Sequence, residues 1–157
     1  MKNLILWRHA EAEVNSISGA DSDRALTKRG YKDAAKMAKW LNKHLPPNTQ
    51  VFCSPARRCL ETVAALQKIK SIQLEVSDFL SIETTPEIIA NKISEENSSN
   101  TILIVGHQPN LGIVISKLLD INESVCPIKK GSVWWLQQRV KEEGMQTYLF
   151  AVQPPNF

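Results

Sequence analysis

The sequence predicts an α/β fold built on a parallel sheet, and three observations carry that prediction. Short apolar runs alternate with segments of helical period, the pattern left by strands joined through crossover helices. The run Thr101-Ile102-Leu103-Ile104-Val105 is continuous and β-branched, as a strand covered on both faces must be. Two late β-rich segments, 131–138 and 145–152, read as a closing pair of strands. At 157 residues the chain is long enough for one domain with a real core, and 1–157 reads as a single domain.

The elements follow in order. Residues 3–7 form a first strand. A polar stretch with Gly19 and several aspartates and serines then reads as a loop over an active site. Thr27 caps a helix running to about Lys43, and Tyr31, Ala34, Ala35, Ala38 and Leu41 define its buried face by their spacing. Pro46-Pro47 end that helix. Val51-Phe52-Cys53 is a second strand. Ser54-Pro55 reads as N-cap and first position of a helix to about Lys68. Residues 72–76 give a third strand, and Thr84-Thr85-Pro86-Glu87 resembles a capping box opening a helix to about Glu95. A polar turn follows at 97–100. After the fourth strand, Gly106-His107-Gln108-Pro109 breaks the run and Pro109 opens a helix to about Leu119. Adjacent Trp134 and Trp135 fall on opposite faces of a closing strand.

Composition narrows the function. No apolar run approaches a membrane span. The N-terminal apolar run is cut by Arg8-His9 before a signal peptide could be complete. Cys53, Cys59 and Cys126 are odd in number and lack paired spacing, which argues against a disulfide framework and a zinc site. A reducing, cytoplasmic setting is expected. The net charge of +3 is mild and, apart from Lys129-Lys130, the lysines are scattered, so no nucleic-acid partner is expected. Oligomeric state has no signature in the sequence.

Basic groups collect where strands end. Arg8 and His9 follow the first strand and His107 follows the fourth, while Arg57 and Arg58 lie in the first turn after the second. In open α/β sheets ligands bind beyond the carboxyl ends of strands. An arginine can hold two phosphoryl oxygens at once and a histidine can attack phosphorus. Helical side chains lean toward the helix N-terminus, so an arginine after the second strand can reach back over that edge. Arg57 and Arg58 diverge by roughly 100° at about 3.6 residues per turn, so only one of them should. Other chemistries lack their motifs: there is no P-loop, no His-Glu-x-x-His helix and no Gly-x-Ser-x-Gly elbow. Five residues separate Cys53 from Cys59, which stands where a cysteine phosphatase needs arginine, and Cys53 reads as a core residue.

Four separated segments resemble the histidine phosphatase superfamily, the phosphoglycerate mutase-like proteins. Arg8-His9-Ala10 is similar to the family's Arg-His-Gly, with alanine as in its SixA-like phosphohistidine phosphatase branch. Residues 24–30 (RALTKRG) resemble that branch's Arg-x-Leu-Thr-x-x-Gly, and 54–62 (SPARRCLET) the family's Ser-Pro-x-x-Arg-x-x-x-Thr, which selects Arg58. Residues 105–109 (VGHQP) resemble the second histidine motif. The resemblance implies a three-layer α/β/α sandwich around a mostly parallel sheet. It implies that His9 takes the phosphoryl group covalently while Arg8, Arg58 and His107 hold its oxygens, with no metal or other cofactor. Asn15 is then a further phosphate contact and Arg24 an entrance residue. Glu83, with Asp78 behind it, is the candidate acid for the leaving group. The short chain favours the SixA-like branch. The expected substrate is a phosphohistidine protein, with a small phosphorylated metabolite as the alternative and a non-catalytic phospholigand-binding module as a third reading. No membrane partner is implied.

Overall fold

The structure, a computed structural model, describes residues 1–97, 99–122 and 124–156. Six strands form one mixed sheet: β1 (Lys2–Arg8), β2 (Gln50–Cys53), β3 (Gln73–Val76), β4 (Thr101–Gly106), β5 (Val133–Lys141) and β6 (Gly144–Gln153). Their order across the sheet is β3-β2-β4-β1-β5-β6. The first four are parallel, and β5 and β6 close the edge as an antiparallel pair.

Four helices cover the sheet: α1 (Lys28–His44), α2 (Arg57–Gln67), α3 (Pro86–Glu95) and α4 (Asn110–Leu119). Strand alternation divides the core between two faces. Ile5, Trp7, Leu103, Val105 and Trp135 pack under Met37 and Leu41 of α1 and Val63 and Leu66 of α2. Leu4, Leu6, Ile104 and Leu136 pack under Ile89 and Ile93 of α3 and Leu111 and Val114 of α4, with Trp134 against their edge. Each such aliphatic side chain contributes ~1.5–3 kcal/mol on burial. From β1 through β3 the chain moves outward in one direction, and it reverses between β3 and β4. Right-handed crossovers then require α1 and α2 on one face and α3 on the other, as found. The fold is the expected α/β/α sandwich.

Two local expectations are corrected. The buried face of α1 is Gly30, Ala34, Met37, Ala38 and Leu41, while Tyr31 and Ala35 are exposed. Gly30 sets this rotation: a Cβ there would stand 2.1 Å from the Glu11 carbonyl oxygen. Tyr31 instead donates its hydroxyl to Glu61 at 2.7 Å. Ser54-Pro55 does not begin α2. The helix starts at Arg57 with Ala56 as N-cap, and Ser54 is buried at the end of β2. The other two cap readings hold in substance. Thr27 accepts from Gly30 N, and Thr85, rather than Thr84, accepts from Ile88 N. The turn expected at 97–100 includes Ser98, which lies outside the described residues.

Candidate active site

The carboxyl ends of the parallel strands form the floor of a cleft of about 370 Å³. Register brings its groups together. Arg8 pairs with Gly106 across β1 and β4, so the two histidines that follow these central strands lie side by side, with ring centroids 5.4 Å apart. The backbone continues the match beyond the strands: His9 N donates to Gly106 O and Ser54 N to Val105 O, at 3.1 and 3.0 Å. α2 then delivers Arg58 from its first turn. Arg8, His9, Arg58, His107 and Arg24 all line the cleft. Arg57 points away and pairs with Glu61 and Asp23. Pro109 and Asn110, at the N-terminus of α4, line it as well, an arrangement that favours an anion.

The contacts define what each group can do. His9 Nδ1 is 2.8 Å from the Ala10 carbonyl oxygen. A carbonyl only accepts, so Nδ1 carries the proton and Nε2 keeps the lone pair. Burial, aided by the charges of His107, Arg58 and Arg8 and opposed by the Ala10 bond, pushes the His9 pKa from 6.5 to about 3. The ring is therefore neutral at neutral pH, with the Nε2 lone pair unprotonated. His107 is pushed down to about 4, by burial first and then by Arg58 and Arg8 against the opposing charge of Asp21. Ser54 Oγ lies 2.8 Å from His107 Nε2 and accepts from Ala56 N, which leaves its own proton free to turn toward the ring. Thr62 Oγ1 accepts from Ala10 N and donates to Arg58 O, tying the residue after His9 to the helix that carries Arg58.

The arginines are anchored differently. Arg8 donates from Nη1 to Ile128 O at 2.6 Å, and its buried Nε has no hydrogen-bond partner among the described residues. Arg58, only 6% exposed, gives Nη1 to Asp21 O and Nη2 to Asp21 Oδ2, leaving three of its five N–H groups for a ligand. Arg24 lines the cleft and also pairs with Asp21 Oδ1 at 3.0 Å.

Not every expected residue joins. Asn15, Glu83 and Asp78 are exposed and none lines the cleft. Buried Cys53 and Cys59 have thiol pKa values raised chiefly by burial, that of Cys59 to about 12. Sequence reasoning missed the structural roles of Ser54 and Asp21. Ser54 carried a signal, a hydroxyl directly after a buried strand, but the proline behind it suggested a cap.

The sequence profile of the Histidine phosphatase superfamily (branch 1) matches residues 4–81, which include Arg8, His9 and Arg58. The solved structure of a putative phosphohistidine phosphatase SixA from Nakamurella multipartitia matches 99% of this chain and 97% of its own, with a TM-score of 0.81 and 25% identity, and so extends the likeness through His107. The chain belongs to the histidine phosphatase superfamily. Within that superfamily it is SixA-like, with the phosphoglycerate mutase-like fold. Among curated relatives, a probable phosphatase of Schizosaccharomyces pombe is 37% identical over 82 residues, covering 48% of this chain and 27% of the relative. An uncharacterized chloroplastic protein of Arabidopsis thaliana is 32% identical over 117 residues, covering 68% of this chain and 54% of the relative. The chain thus spans about a quarter and about half of these two relatives. No helix among the described residues is long and apolar enough to cross a membrane.

Proposed function

We propose that the chain is a phosphatase that forms a covalent phosphohistidine on His9 and acts on a phosphohistidine protein. The carrying observation is the His9 Nδ1 bond to Ala10 O, which fixes the Nε2 lone pair in a cleft lined by Arg8, Arg58 and His107. In the first step Nε2 attacks phosphorus, and the bond between phosphorus and the substrate's imidazole nitrogen breaks with its electron pair going to the departing ring. That ring leaves as neutral imidazole if it enters protonated, so a dedicated protein acid is not required. This accords with Glu83 lying outside the cleft. In the second step water attacks the phosphorus and the bond between phosphorus and Nε2 breaks, its electron pair returning to Nε2 while both water protons stay on the departing dihydrogen phosphate.

Throughout, Arg8, Arg58 and His107 hold the oxygens on which charge accumulates. Phosphoryl transfer needs this positioning and electrostatic stabilisation above all, and these side chains supply it with no metal ion. A bound dianion would also draw a proton onto His107, making it a charged donor. The likeness to the putative phosphohistidine phosphatase supports a phosphohistidine substrate. A second reading, a small phosphorylated metabolite, is favoured by the cleft's size, about 370 Å³, which suits a small ligand. Side-by-side turnover of a phosphohistidine protein and a panel of metabolite phosphates decides between them. Phosphohistidine turnover that disappears in His9→Ala is the expected result; efficient turnover of one metabolite and none of the protein overturns it.

A further inference from the structure

We propose that Lys130 forms a second anion-binding position at the mouth of the cleft, for a carboxylate or further phosphate that the substrate carries beside its phosphoryl group. The inference rests on the phosphatase reading and concerns the specificity of the same site.

The charges of the cleft lead to it. Arg58 and Arg24 share one carboxylate, Asp21, at 3.1 and 3.0 Å. Arg24 also gives its Nε to Glu13 O at 2.6 Å. Arg8 has no carboxylate partner among the described residues and lies beside the nucleophile, where the phosphoryl group is held. Lys130 also lines the cleft. Among the described residues it makes neither an ion pair nor a side-chain hydrogen bond, and no carboxylate lines the cleft to oppose it. Asp33, beneath the same turn, pairs with Arg29 at 3.7 Å. Once Arg8, Arg58 and His107 have taken the phosphoryl oxygens, Lys130 remains as a cation facing the rest of the substrate.

The backbone makes this more than a solvated lysine. The turn that carries it is closed by one hydrogen bond of its own and tied to the strand that leads to His9 at three points. Gly131 N donates to His9 O at 3.0 Å, and Trp7 Nε1 donates to Gly131 O at 3.1 Å. Arg8 N donates to Ser132 O, and Ser132 N to Lys129 O. Gly131 has φ +78°, a conformation glycine adopts without penalty. Lys130 is therefore held one residue from the group hydrogen-bonded to the nucleophile's own carbonyl, and its four-carbon stem reaches outward from a fixed base.

The test uses two matched substrate pairs. One is phenyl phosphate and 3-carboxyphenyl phosphate; the other is a phosphohistidine peptide with Glu or Gln next to the phosphorylated residue. The wild-type chain should prefer the anionic member by about fivefold in kcat/KM, the size of an oriented but solvent-exposed ion pair. The pair that shows the preference identifies whether the anion belongs to a protein or to a small molecule. Lys130→Ala should bring the ratio to about one, Lys130→Glu should invert it and Lys130→Arg should restore it. A ratio of one in the wild-type chain for both pairs, or a preference that survives Lys130→Ala, overturns the inference. Turnover of none of the four compounds overturns the phosphatase reading and this inference with it.

Discussion

Acid titration of the unliganded protein probes the protonation state of His9. An ordinary histidine titrates at 6.5, whereas burial and neighbouring cations hold His9 at about 3. At about 1.4 kcal/mol per pH unit, that gap disfavours the imidazolium by ~5 kcal/mol. Its linkage to stability has a definite sign. Between pH 6.5 and about 3 the unfolded chain binds a proton that folded His9 refuses, so the fold loses stability as pH falls through this window. Below about 3 both states are protonated and the loss levels off. His107 acts in the same direction between 6.5 and about 4. The chain has three histidines, so two-bond proton–nitrogen correlation spectra can follow each ring, with His9→Gln assigning the nucleophile. The expected spectrum shows His9 neutral and protonated on Nδ1 from pH 8 down to pH 4. Inflection of its nitrogens near pH 6.5, or a proton on Nε2, would mean that the lone pair is not held ready for attack.

Other substitutions test the supporting groups. Arg58→Ala should lower kcat by about 10²–10³, the size of a lost oxyanion donor, and Arg58→Lys should restore little because an ammonium lacks the planar fork; steady-state kinetics with near-normal kcat in either variant contradicts the assignment. Ser54→Ala removes the 2.8 Å contact to His107 and should cost about tenfold in kcat/KM, equivalent to ~1.4 kcal/mol for one hydrogen bond; an unchanged value would show that His107 needs no such orienting partner. Gly30→Ala places a Cβ 2.1 Å from the Glu11 carbonyl oxygen and should lower Tm by about 3–10 °C, from ~1–3 kcal/mol of overpacking in a chain of this size. A melting curve matching wild type would show that α1 can shift without penalty.

Much of this architecture was legible because burial on both faces leaves a strong mark. β4, aliphatic from Ile102 to Val105 and buried along its whole length, could be read as a central parallel strand, and from it the neighbouring strand ends and their basic residues followed. The choice of Arg58 over Arg57 came from the resemblance, and the geometry has the simple cause that adjacent helical residues diverge. What failed were features decided by a single tertiary contact. The rotation of α1 depends on how closely Gly30 approaches Glu11 O, and periodicity gives glycine no weight. Ser54 has the chemistry of a cap, but His107 lies within its reach once β2 pairs with β4. The hold of Asp21 on Arg58 joins residues 37 apart in sequence, which no local pattern marks. Asn15 and Glu83 were carried by resemblance alone, and no local pattern fixed where their side chains would lie.

The central claim is that His9 Nε2 carries the phosphoryl group. Rapid-quench mixing of the protein with a ³²P-labelled phosphohistidine substrate, followed by peptide mapping under alkaline conditions, tests it most directly. Acid-labile, base-stable label should appear on the peptide containing His9, form and decay within a turnover, and be absent from His9→Ala. Turnover with no label trapped on His9, or label on another residue, would contradict it.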